Sequence, residues 1–146
     1  IEVELPFLAE LAPNSKIVGI VMGSGNWQRC RDAARQLADF LKTLPARPLL
    51  LVSSDMNHFL DDAETRRRDA LALGKMRDFD PHGLLETVRA HGISMCGVLP
   101  AVLAMETVRA MHENAVAEQV AYATSGDTSG DLNRVVGYAG MLLGEG

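Results

Sequence analysis

The sequence predicts an α/β fold, a mixed sheet with helices on both faces, and three observations carry that prediction. Short apolar runs rich in β-branched residues alternate with amphipathic helical stretches along the chain. Residues 48–52, a proline followed by three leucines and a valine, have the unbroken apolar character of a strand buried on both faces. The last two strand patterns, residues 118–124 and 134–143, are joined by a loop alone, which suits an antiparallel pair. No internal repeat or long linker interrupts the 146 residues, and an apolar share of 47% is ample for one core, so the chain reads as a single domain, residues 1–146.

Charge and composition narrow the function classes. The net charge is −5, and the basic run Arg66, Arg67 and Arg68 is answered by Asp61, Asp62, Glu64 and Asp69, the pattern of a solvated helix face. Nucleic acid is therefore not an expected partner. No apolar run approaches the length of a membrane span, and the first residues carry neither a basic region nor a signal-like apolar core, so a cytoplasmic protein is expected. Cys30 and Cys96 lie in unlike contexts and form no disulfide framework, as in a reducing compartment. Ile1 is not a methionine, and the first dozen residues already read as a helix in progress, which suggests a fragment of a longer chain.

The elements follow in order. Residues 1–12 form an amphipathic helix, with Val3, Phe7 and Leu11 on one side, ended by Pro13 and Asn14. Residues 16–22, KIVGIVM, make a β-branched strand. The Gly23-Ser24-Gly25 loop after it lacks the lysine and spacing of a P-loop and the third glycine of a dinucleotide fingerprint. A helix over 26–44 carries Ala33, Leu37, Phe40 and Leu41 at helical spacing and stops at Pro45; Cys30, near its start, is a packing residue. After the strand at 48–52, a loop bears His58 and Phe59. An acidic start then suits a helix dipole, and that helix runs to about Phe79. Asp80 and Pro81 mark a new N-cap and first turn, with Gly92 closing that helix. His82 and His91, at its two ends, read as surface or capping residues. Pro100 opens an apolar helix over 101–111, with His112 as a partner for its C-terminal dipole.

Candidate chemistry gathers in two loops. Ser53, Ser54, Asp55 and His58 follow the central strand, and ligands in open α/β sheets sit outside the carboxyl ends of strands. An aspartate and a histidine three residues apart can turn toward one point; equally, Ser54 or Asp55 can cap the turn while His58 packs beneath it. Cys96 precedes Gly97 and a helix start, where a thiolate gains from the helix dipole as a metal ligand or nucleophile requires; the alternative is a small buried hydrophobe.

Taken together, the segments IEVELPFL, SSDMNHF, the Cys-Gly of ISMCGVLP, YATSGDTSGD and VVGYAG resemble, in that order and over essentially the whole chain, the Memo family, the mediator-of-cell-motility proteins whose bacterial members are called AmmeMemoRadiSam system protein B. The most specific parts are Ser-Ser-Asp-x-x-His at residues 53–58 and Cys96-Gly97. The resemblance implies a fold related to class III extradiol dioxygenases, which are non-haem iron enzymes. It further implies metal ligation by two histidines from the first half of the family's length and by a cysteine matched by Cys96. Asp55 and His58 match the acidic residue and histidine that line the same pocket, where they orient water or move a proton. On this resemblance the chain is the C-terminal portion of a larger Memo-like domain. The two ligand histidines have no counterpart here, since His82, His91 and His112 match no ligand motif. Iron or copper is expected in a full-length protein and none in this chain alone.

Three function classes follow. The first is a metal-dependent redox or dioxygenase-like enzyme using Cys96, with His58 as acid or base and Asp55 orienting it. The second is a metal-free binding module for a small molecule, a peptide or a phosphopeptide that kept the pocket. The third, ranked last, is a hydrolase using Ser53 or Ser54 with His58 and Asp55; the G-x-S-x-G pattern is missing. A radical S-adenosylmethionine partner protein follows only from the family's bacterial name. Homo-oligomer formation is expected from an exposed sheet edge and apolar surface.

Overall fold

The computed structural model describes residues 2–146; Ile1, with which the first helix pattern begins, lies outside the described residues. A 3-10 turn at Glu2–Glu4 leads into helix α1 (Leu5–Leu11). Helix α2 (Trp27–Thr43) starts at an Asn26 cap whose side chain accepts from the Arg29 N–H at 3.0 Å. Helix α3 (Asp62–Arg77) is capped in the same way by Asp61, which accepts from the Glu64 N–H. In helix α4 (Pro81–Ala90), Asp80 accepts from the Gly83 N–H at 2.8 Å and proline fills the first turn, as the sequence requires. Helix α5 (Val98–Met111) begins three residues before the predicted Ala101, because Pro100 sits inside the first turn, where its missing N–H has no intrahelical role.

Three strands form one sheet in the order β1-β3-β2: β1 (His58–Leu60), β2 (Ala115–Thr124) and β3 (Val135–Glu145). Both ladders are antiparallel. The hairpin of β2 and β3 was legible, and the turn-rich connection between them holds a short helix, α6 (Gly126–Ser129). The fold is thus α/β, consistent with part of the dioxygenase-like fold. The strands expected at 16–22 and 48–52 do not form: among the described residues neither segment has a ladder partner. A strand exists only through its neighbours' hydrogen bonds, and without them the apolar side chains stay open. Val18 is 86% exposed, and Leu49 is 82% exposed in the segment where burial on both faces was expected. Conversely, β1 lies where the sequence suggested only loop.

Alternation places Tyr122 and Thr124 of β2 and Val135, Gly137, Ala139 and Met141 of β3 on the inner face of the sheet. Helix α3 is tied across that face along its length: Thr124 Oγ1 donates to Asp62 at 2.6 Å, Tyr122 OH to Asp69 at 2.8 Å, and Arg77 to Gln119 at 2.6 Å. Behind it, Leu84 and Leu85 of α4, Val102 and Met105 of α5 and Cys30 of α2 are fully buried and join one core, which settles Cys30 as packing. The arginine run is a helix face as expected, with Arg66 on Asp62 and Arg67 and Arg68 on Glu64. The opposite face of the sheet leaves Val116, Val120, Tyr138 and Leu142 exposed. Among the described residues no helix is long and apolar enough to cross a membrane.

Candidate functional site

Two loops, 53–58 and 93–97, build the site, and each is pinned to the core by the residues between its functional ones. In the first, Met56 N–H donates to Gly137 O and Gly137 N–H to Asn57 O, both at 2.9 Å, while Asn57 N–H donates to Asp69 Oδ1 at 2.8 Å. Met56 and Asn57 are buried, so Asp55 and His58 on either side remain partly open. In the second, Ile93 and Met95 point into the core, which by alternation turns Ser94 and Cys96 outward. Gly97 N–H, donating to Ser54 Oγ at 2.8 Å, then joins the loops.

This places the Cys96 sulfur, a His58 ring nitrogen and an Asp55 carboxylate oxygen within 4.8 Å of one another. His58 Nε2 lies 3.2 Å from Asp55 Oδ2, and Asp55 N–H donates to Cys96 Sγ at 3.2 Å. The three residues singled out from the sequence are therefore neighbours, and the reading of Cys96 as a buried hydrophobe fails: it is an exposed free thiol. Ser54 has a structural part instead of a nucleophile's. Its hydroxyl donates to Asp55 O at 2.7 Å, accepts from the Gly97 N–H and lies 3.8 Å from Cys96 Sγ, and it makes no hydrogen bond with His58. His82 stacks near Trp27 with ring centroids 4.7 Å apart, and His112, at the C-cap of α5, pairs with Glu145 at 3.1 Å; neither reaches the site.

Sequence reasoning missed the residues that hold the site. His58 N–H donates to Ser94 Oγ at 2.7 Å, and His58 Nδ1 lies 3.2 Å from the same oxygen. Asn57 Oδ1 accepts from Ser94 N–H at 3.3 Å and Ser94 Oγ at 3.4 Å. Below it, Asp69 bridges the Asn57 N–H and the Tyr122 hydroxyl. Burial pushes the Asp69 carboxyl above its ordinary range, against the lowering effect of those two hydrogen bonds. Burial, helped by the Asp69 charge, also pushes the Tyr122 phenol up. The only local signal was the alternation of ISMC around Ser94. At Phe59 the backbone enters the left-handed region, with φ +66°, and the Arg134 guanidinium stacks 4.6 Å from its ring centre. An open cleft of about 620 Å³ adjoins the site, lined among others by Phe7, Ser54, Asp55, Ala123 and Tyr138.

As a donor set, one thiolate, one imidazole and one carboxylate fit iron, copper or zinc. Three donors are fewer than the four of a closed tetrahedral site, and His58 and Asp55 are engaged with each other. The sulfur is exposed and, although it accepts from the Asp55 N–H at 3.2 Å, keeps lone pairs for a metal.

The family model described as Memo-like protein matches residues 1–142. A MEMO1 family protein of Methanopyrus kandleri is 32% identical over 147 residues, covering 100% of this chain and 52% of its own length. One from Aquifex aeolicus is 35% identical over 98% of this chain and 53% of its own, and one from Ignicoccus hospitalis 38% identical over 97% and 50%. The chain spans about half the length of the curated relatives it matches. With a match over nearly every residue and the Ser-Ser-Asp-x-x-His and Cys-Gly segments drawn into one cluster, the chain belongs to the Memo-like protein family.

Proposed function

We propose that this chain supplies the thiolate and the proton-handling groups of a non-haem metal centre in a redox, dioxygenase-like enzyme. The observation that supports this reading is the convergence of Cys96, His58 and Asp55 within 4.8 Å at the edge of an open cleft. Cys96 would hold iron or copper together with imidazoles from outside this chain. The metal, when bound, supplies Lewis acidity and one-electron chemistry. Asp55, through its carboxylate on Nε2, orients the His58 ring beside Cys96, and its backbone N–H aims the Cys96 sulfur. His58 Nε2 is then the atom that gives or takes a proton beside the bound ligand. Two cysteines left as free thiols support a reducing, cytoplasmic setting for this reading.

Metal analysis and oxygen uptake on the intact protein test this. Stoichiometric iron or copper, lost on Cys96→Ser, is expected; absence of metal at any occupancy would overturn it. The cleft, with Phe7 and Tyr138 in its wall, favours a second reading, a binding module for a small molecule or peptide. That reading expects ligand binding unchanged by Cys96→Ser.

A further inference from the structure

Strand β1 spans only His58–Leu60, but the backbone just before it already alternates as a strand does. Met56 N–H donates to Gly137 O on the β3 side, and Asp55 N–H, one residue earlier, donates to Cys96 Sγ on the other. On β3, Gly137 N–H faces this same edge, toward Asn57 O, whereas Val136 N–H turns to Ser125 Oγ. Ala139, Met141 and Leu143 therefore present their backbone groups to the β1 edge. Beyond Gly137, no backbone bond is made on that edge among the described residues. Ser53–Asp55 and Tyr138–Gly140 instead stand as separate parts of the cleft wall, with a seam between them.

Counting back from Met56 and forward from Gly137 sets Ser54 against Ala139, Val52 against Met141 and Leu50 against Leu143. Residues opposite each other share a face, and the side chains agree with that register. Val52, Met141 and Leu143 are partly buried against the core, and Leu50 is partly buried. Leu51 and Leu142, which fall opposite each other on the outer face, are 51% and 62% exposed. A slip of one residue would turn Leu50 and Val52 outward. We infer that residues 50–54 are a strap that closes onto the free edge of β3 in this register and seals the seam in the cleft wall beside Asp55. Its fixed end is the stretch 54–56, held by the Gly97 N–H on Ser54 Oγ and by the Met56 bond to Gly137. Closure covers Leu51 with Leu142 and gives the free backbone groups of 139, 141 and 143 their partners. No metal enters the argument, so the strap stands or falls apart from the proposed centre.

Disulfide trapping in the full chain tests the register. With Leu51→Cys and Leu142→Cys, the two positions form a non-hydrogen-bonded pair at a Cα separation of about 4.5 Å, within disulfide reach. Oxidised glutathione on dilute protein should link 51 to 142 within one chain, located by mass spectrometry against the native Cys30 and Cys96. Leu51→Cys combined with Gly140→Cys or Gly144→Cys puts the pair on a diagonal of about 7–8 Å and should give roughly ten-fold less crosslink. Both glycines accept a side chain, since an added Cβ meets nothing closer than 3.7 Å at Gly140 and nothing within 4 Å at Gly144. Amide exchange gives an independent reading: Val52→Pro should abolish protection at Met141 and Leu143 while leaving Gly140 and Leu142, whose N–H groups face β2, protected, which separates the effect from unfolding. Absence of the 51–142 link in folded protein, equal linking at 140, 142 and 144, or protection unmoved by Val52→Pro would each overturn the inference. A 51–142 link between two chains would also overturn it, assigning the edge to a second copy.

Discussion

Gly97→Ala tests the joint between the two loops. Gly97 sits at φ −100°, a conformation open to alanine, so the cost is steric and not conformational. An added methyl would press on the Ser54 Cβ, lie 2.7 Å from Ser54 Oγ and lie 2.8 Å from the Ser53 carbonyl oxygen. The hydroxyl can rotate, but the carbonyl belongs to the backbone, so the whole 53–55 segment must shift. Overpacking of this kind costs about 1–3 kcal/mol, and loss of the Gly97 N–H to Ser54 bond adds about 1 kcal/mol. Alanine's smaller unfolded-state entropy returns about 0.4–1 kcal/mol. The net destabilisation is about 1–3.5 kcal/mol, which for a chain of this size lowers the melting temperature by several degrees, at about 2–4 °C per kcal/mol. Thermal or urea denaturation reads it directly. Because Ser54 is the nearer neighbour, Ser54→Gly in the Gly97→Ala background should recover at least about 0.5 kcal/mol in a double-mutant cycle. A Gly97→Ala protein as stable as the parent, or no coupling to Ser54, would show that the loops are not joined as described.

Three further outcomes are expected. Tyr122→Phe leaves the buried Asp69 Oδ2 without a donor and should destabilise by about 1–3 kcal/mol in urea; a change under about 0.5 kcal/mol would refute the bridge. Hydrogen bonds from Arg67 and Arg68 lower Glu64 from 4.5 to about 2, so its contribution is present above pH 4.5 and is lost as the pH falls toward 2. Glu64→Gln should therefore flatten the stability profile across that window, by a small amount given its exposure to solvent and salt, and parallel profiles would count against the pairing. The open apolar side chains of 16–22 and 48–52, with Val18, Val21 and Leu49 almost fully exposed, should make the isolated chain self-associate; a clean monomer by light scattering at tens of micromolar or so would refute this.

What the sequence revealed divides along the range of the interactions involved. The starts of α2, α3 and α4 were legible because Asn26, Asp61 and Asp80 are caps that act within three residues. The β2–β3 hairpin was legible because alternation and a turn-rich connection are also local. The segments at 16–22 and 48–52 have strand composition but no strand, since pairing is a property of neighbours and not of the run itself. Strand β1 was invisible for the opposite reason: three residues carry no period, and the positive φ at Phe59 breaks what pattern there is. At the site, Asp55, His58 and Cys96 could be named from loop position and resemblance. Ser94, Asn57, Asp69 and Tyr122 could not, because they lie on four separate stretches and acquire meaning only once 57, 69, 94 and 122 converge.

That division explains how a site on two loops holds its shape. A loop left to itself samples many conformations, but here anchors sit among the site residues: Met56 and Asn57 bond to β3 and Asp69, while Ile93 and Met95 are packed in the core. The functional side chains are the ones left over when the anchors are satisfied. The left-handed backbone at Phe59 costs about 1–3 kcal/mol for a non-glycine residue, and Arg134 stacked on its ring returns about 0.5–1 kcal/mol. The remainder is carried by the bonds from His58 to Ser94 and Asp55, which fix the ring on both nitrogens at the strained turn. The geometry around Cys96 is therefore set by the protein's own packing before any ligand arrives, which is the condition for a preorganised centre.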